Sequence, residues 1–175
     1  MKSSFWLRFA CVVPMLLALG CGPAGDPAAK AKNARTEETA PAARGTVEAP
    51  REVAIEVGDS MQFSATRIEA AAGEVLRLKL SNLGSASKEA MGHNWVLLRA
   101  GVDVTAFANA ALGAKAHDYV PPARVGDVLA HTRLLGGGGR DAVVFTVPSE
   151  PGDYVYLCTF PAHLQLGMKG VLVVR

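Results

Sequence analysis

The chain has 175 residues, half of them apolar, with 18 basic and 16 acidic side chains and a formal charge of +2. That length and apolar content suit one globular domain with its own core and exclude a disordered or collagen-like chain. The near balance of charge, without a basic stripe or interleaved aromatics, excludes nucleic acid as a partner.

The chain opens MKSSFWLRFACVVPMLLALGCG. A short basic start (Lys2, Arg8), an apolar run of about a dozen residues and small residues before Cys21 form the pattern of a secretory signal. The run is shorter than the roughly 20 residues a spanning helix needs, and Pro14 interrupts it. Residues 1–20 are therefore expected to be a removed signal peptide, not a transmembrane anchor. The segment Ala18-Leu19-Gly20-Cys21 resembles the lipobox of bacterial lipoproteins, although Leu17 stands one place further from the Cys than usual. An ordinary signal cleaved further on would leave Cys21 a free thiol instead. With Gly22 after the Cys, the resemblance implies lipidation of Cys21 and a bacterial cell-envelope protein on the periplasmic side, held at the outer membrane through that lipid alone. Cleavage before Cys21 removes two basic residues and no acid, leaving sixteen of each and a nearly neutral mature chain. Cys11 leaves with the signal and Cys21 carries lipid, so Cys158 stands alone. In an oxidising compartment a lone thiol persists when it is buried or bound to something.

Residues 21–50 are rich in Ala, Pro, Gly, Lys and Glu, have no aromatic residue, and read as a flexible linker. From residue 51 to 175 the texture changes to short β-like runs separated by turn signals: 53–57, 61–65, 74–80, 93–98, 130–135, 142–147, 154–160 and 170–174. Leu76, Leu78 and Leu80 alternate with Arg77 and Lys79, the period of a half-buried strand. About eight strands in this span predict an all-β antiparallel sandwich or barrel. The Ala-rich stretch 103–116 predicts one short helix inserted between strands.

Residues 158–168 read CTFPAHLQLGM. A type 1 copper site needs a thiolate and two imidazoles with a weak axial thioether or carbonyl oxygen, because soft sulfur favours Cu(I). Cys158, His163 and Met168 supply three of these roles with four residues in each interval, which lets a strand end and its following loop wrap one ion. The second imidazole must come from His93, His117 or His131.

MGHNWVL at 91–97, AHTRLLG at 130–136 and CTFPAH followed by MKG together resemble azurin, a cupredoxin, over most of residues 55–175. The resemblance implies a Greek-key sandwich holding one type 1 copper ion by His93, Cys158 and His163, with Met168 as weak axial ligand and the Gly92 carbonyl more distant. It also implies that Asn94 holds the ligand loop by hydrogen bonds, that Thr159 and Phe160 stand just outside the ligands, and that the amides of Asn94 and Phe160 point at the sulfur. As a family member the protein would carry single electrons between redox partners such as c-type cytochromes or envelope oxidoreductases. The outer edge of His163 would lie in an apolar patch with Leu164, Leu166 and Met91. Two departures stand out. Azurin has three residues between the loop His and Met, whereas Leu164-Gln165-Leu166-Gly167 makes four, so Gln165 is an alternative axial oxygen. Azurin also has a disulfide near its start, and the matching strands here hold no Cys.

Other readings follow from the same residues. Copper reductases and oxidases place a His beside the ligand Cys, but Leu157 and Thr159 flank Cys158, so an enzyme is not expected. A copper-storage module would favour Met-rich tracts, which five Met residues do not make. His117 reads as a surface residue, His131 as a strand-end or partner-facing residue, and Trp95 as core.

Overall fold

The computed structural model describes residues 44–175. The expected signal, the Cys21 lipidation site and most of the expected linker lie outside the described residues. Eight strands form two facing sheets, β1 (Arg51–Val57), β2 (Arg67–Ala70), β3 (Val75–Asn82), β4 (Val96–Leu98), β5 (Val128–His131), β6 (Arg140–Thr146), β7 (Gly152–Leu157) and β8 (Lys169–Val174). The first sheet runs β1-β3-β6 and the second β2-β8-β7-β4-β5. Helix α1 (Lys88–Met91) precedes β4, and α2 (Val104–Ala111) lies between β4 and β5. This is the sandwich the sequence predicts, with one difference of direction. β1 pairs with β3, and β2 with β8, in parallel. The first two strands are split between the sheets, so each adds to an edge without a hairpin to reverse it.

The run 61–65 does not form a strand. Met61 has a φ of 53° and its amide closes a turn onto Gly58 at 3.0 Å, which breaks the ladder. Phe63 still reaches the core, and the second strand forms later, at Arg67–Ala70. The predicted helix is shorter than 103–116. Asp103 caps it by accepting the Ala106 amide at 3.0 Å, and a separate 3₁₀ turn takes Lys115–His117.

The core between the sheets contains Leu76, Leu78 and Leu80 with Trp95, Leu97, Phe145 and Tyr156. A second cluster lies on the outer side, where α2 sets Phe107 and Ala108 against Val96, Leu98 and Leu157. β4 is thereby buried on both faces, which explains why Val96, Leu97 and Leu98 are apolar without alternation. This rigid strand carries the residues that precede it.

The register of β7 on β8 fixes two poles. Leu157 pairs with Lys169 at one end and Gly152 with Val174 at the other. The five steps between the six residues of β8, at about 3.3 Å each, separate the ends by about 17 Å. At the far pole the buried Glu74 carboxylate accepts from the Arg51 guanidinium and from the amides of Gly45 and Ala71. Burial opposes its charge, but these donors outweigh burial and hold it below the usual carboxylate range. Gly45, placed by the sequence in the linker, is buried and also accepts the Val75 amide at 3.0 Å. Arg175 closes the same pole through backbone bonds with Ala70 and Ala72.

Candidate metal centre

At the near pole, three segments deliver three donors. His93 leads into β4 and exchanges both backbone hydrogen bonds with Leu135, at 3.0 and 2.8 Å. Cys158 follows directly on β7, and its amide donates to the Met168 carbonyl at 3.1 Å. The Met168 amide donates to the His163 carbonyl at 2.9 Å, so the loop between Cys158 and Met168 is closed at its base. One donor atom each from His93, Cys158 and His163 lies within 4.8 Å of the others, and the Cys158 Sγ stands 3.3 Å from His163 Nδ1. The two imidazole rings are 4.8 Å apart, centre to centre. All three side chains are buried.

Neither ring nitrogen of His93 has a hydrogen-bond partner, although both are sealed from solvent. Polar atoms left so are costly unless something binds them. A soft cation ligated by this Cys and two His residues would satisfy one of the two His93 nitrogens, and the donor set suits copper. Burial pushes the Cys158 thiol up to about 12, against the pull of hydrogen bonds from the Asn94 and Phe160 amides. Burial, then the neighbouring His93, pushes His163 down to about 4. His93 is also lowered by burial, with Asp59 and the Gly58 backbone opposing. At neutral pH the site therefore offers two neutral imidazoles, the form that ligates metal.

The extra residue of the loop is absorbed in turns. Ala162 and Gly167 take left-handed φ values of 70° and 91°, and the Leu166 and Gly167 amides donate to Ala162 and Leu164. Glycine suits the second of these positions because it has no Cβ to clash. The added turn bulges outward, leaving Gln165 exposed while Met168 is fully buried. Gly92 is buried against α1, where a Cβ would stand 2.6 Å from the Lys88 carbonyl and 2.8 Å from Leu134.

Asn94 ties the loop to the scaffold. Its Oδ1 accepts the Thr159 amide at 2.9 Å, and its Nδ2 is 2.8 Å from the Thr159 hydroxyl and donates to the Asp118 carbonyl at 2.9 Å. Phe160 lies against His163, ring centres 4.8 Å apart, and Tyr119 packs edge-on against Phe160 at 5.3 Å. Trp95 is buried between Tyr156 and Phe145, and its indole N–H has no acceptor. His117 and His131 are exposed and away from the cluster. Asp118 and Tyr119 were not legible as contributors, since nothing in His117-Asp118-Tyr119 announces a contact with a loop forty residues later.

A model of copper binding proteins of the plastocyanin/azurin family matches residues 49–175. The chain belongs to that family. It is 39% identical to Azurin of Achromobacter denitrificans over 127 residues, 69% of this chain and 82% of that one. Against Azurin of Pseudomonas aeruginosa it is 36% identical over 126 residues, 70% of this chain and 84% of the relative. It is 39% identical to Auracyanin-B of Chloroflexus aurantiacus over 117 residues, 66% of this chain but 48% of that protein, so it spans about half of this relative. The structure of auracyanin A, a blue copper protein of Chloroflexus aurantiacus, aligns with a TM-score of 0.64 and 33% identity over 72% of this chain and 99% of that one. This azurin-like cupredoxin thus has the fold, and in His93, Cys158 and His163 a site fit for one type 1 copper ion. Members of the family are electron carriers, not enzymes. Among the described residues no helix is long and apolar enough to cross a membrane.

Proposed function

We propose that the protein is an exported one-electron carrier, tethered to the bacterial envelope by lipid on Cys21, that serves redox partners such as c-type cytochromes or envelope oxidoreductases. The single observation that carries the electron-transfer reading is the buried His93, Cys158 and His163 cluster with both His93 ring nitrogens unsatisfied. When bound, copper supplies a Cu(II)/Cu(I) couple at such a site. His93, on the doubly buried β4 lead, and Cys158 and His163, in a loop closed by backbone bonds, hold their donor atoms in one arrangement. Rigid donors need not move between oxidation states, and that lowers the reorganisation cost of transfer. The Met168 thioether and the Gly92 carbonyl are the weak donors, a role supported by the complete burial of Met168 and the exposure of Gln165. The Asn94 and Phe160 amides at the sulfur, with Thr159 held by Asn94, set the thiolate's electron density. The docking face of this reading is formed by the half-buried Met91, Phe160 and Leu164 and the exposed Leu166, of which Phe160 packs on His163. A small apolar face suits brief encounters.

Adding Cu(II) to the purified chain tests the reading. An intense visible thiolate-to-copper absorption and a type 1 electron spin resonance signal, both removed and restored by reduction and reoxidation, are expected. A colourless adduct, or one that does not cycle, overturns it in favour of a storage role. Labelled fatty acid on the wild type but not on Cys21→Ala tests the tether separately.

A further inference from the structure

We infer that Asp118 is a positioning residue for the copper loop, the outer anchor of a strap that grips the loop at Thr159 and Phe160, between Cys158 and Pro161. The inference rests on the copper reading above for its consequence, though not for the contacts themselves.

Asp118 and Tyr119 both adopt left-handed backbone conformations, with φ of 54° and 59°. Two such non-glycine residues in succession are unfavourable and persist when the surroundings hold them. The Tyr119 and Val120 amides donate to Ala114 and His117 at 3.0 and 2.9 Å, and the Asp118 carboxylate adds the ties that fix this turn to the rest of the sandwich. One oxygen takes the Lys88 ammonium at 2.7 Å, and the other accepts the Leu134 amide at 3.2 Å. Lys88 begins α1, and Leu134 is next to Leu135, which exchanges backbone bonds with His93. The strap is thus fixed to the two segments that also place the first imidazole.

From this anchor two contacts reach the loop. The Asp118 carbonyl accepts from Asn94 Nδ2 at 2.9 Å, orienting the amide whose oxygen accepts the Thr159 N–H, directly after Cys158. The Tyr119 ring packs on Phe160, and Phe160 packs on His163. The left-handed turn aims both at once. The carbonyl of one residue and the ring of the next act on successive residues, Thr159 and Phe160, of the same ligand loop. Asp118 touches none of the three donors, so its effect passes through Asn94 and Tyr119.

Amide hydrogen exchange in the metal-free chain, together with copper release to a chelator, tests this. In Asp118→Ala the Thr159 amide should exchange at least tenfold faster than in the wild type, and Cu(II) affinity should fall about tenfold, the scale found for outer partners of metal ligands. Asp118→Gly relieves the backbone yet lacks the carboxylate, so it should show the same loosening. Asp118→Asn keeps an acceptor for the Leu134 amide and should recover part of the protection. Asp141→Ala is the control, because Asp141 likewise accepts a neighbouring amide, that of Arg133 at 2.8 Å, without reaching the loop. It should leave Thr159 exchange unchanged apart from any global loss of stability. If Asp118→Ala fails to fold, Lys88→Ala gives the weaker form of the same effect. Unchanged Thr159 exchange in both Asp118→Gly and Lys88→Ala overturns the proposal. Normal loosening with a colourless copper adduct overturns the electron-carrier reading and leaves the strap standing.

Discussion

Thr159 donates its amide hydrogen to the Asn94 side chain at 2.9 Å across 65 residues of sequence, fully inside the protein. That bond joins the segment holding one imidazole, just before β4, to the loop holding the thiol and the other. Asn94→Ala leaves the Thr159 amide and the Asp118 carbonyl without their partner, which should cost about 2 kcal/mol. Chemical denaturation of the metal-free chain measures it, and the variant should also lose copper faster than the wild type.

Cys158→Ser should remove the visible absorption of the copper-loaded protein while leaving its β-sheet circular dichroism intact, since the side chain sits at a strand end already closed by backbone bonds. The wild type should melt at higher temperature with Cu(II) present, by an amount equivalent to about 2.7 kcal/mol at a hundredfold excess over the dissociation constant. Cys158→Ser should show little of that rise, so differential scanning calorimetry with and without metal separates ligation from folding.

Stability should fall in acid through Glu74. Its pKa is depressed in the folded protein, so its contribution is complete above the ordinary carboxylate range and is lost as pH drops through the lower folded value. Glu74→Gln should be less stable than the wild type by about 2 kcal/mol at pH 7. The gap should narrow as pH falls below the ordinary carboxylate pKa of about 4.3, and urea melts across pH record it. A gap that persists unchanged into strong acid contradicts this account.

Phe107→Ala should destabilise by about 3 to 5 kcal/mol, because the ring is fully buried between α2 and the outer face of the second sheet. Losing this cover exposes Val96 and Leu98 of the strand that His93 leads into, so copper affinity should fall as well. Denaturant titration and metal competition measure the two effects on one sample.

Trp95 should emit at short wavelength and resist collisional quenchers until the whole domain unfolds. Its ring is fully buried, and no protein acceptor meets the indole N–H to lower the excited state. The mature chain is the sample for this measurement, because Trp6 falls in the expected signal.

Much of the site was legible because its donors are chemically rare and close in sequence. Cys158, His163 and Met168 fall within eleven residues of a chain with three Cys and four His, and the GHNW segment supplies the remaining ring. The strands were legible where one face is wet, as with Leu76, Leu78 and Leu80. Pattern misled at 61–65, whose apolar alternation serves to bury Phe63 from an irregular turn and not to build a ladder. The parallel pairing of β1 and β2 leaves no local trace, since it depends on which sheet edge is free. Asp118 was hidden for a related reason. Its value lies in a backbone conformation that neither it nor Tyr119 advertises as glycine would.

Gly45 and Arg175 leave the sandwich beside Glu74, on the side turned away from the copper loop. A purification tag or a thiol for a gold electrode grafted there leaves the approach to the copper loop unobstructed. An electrode film attached after Arg175 should therefore present the copper end to partners in solution, and one attached through Leu166 should cover it.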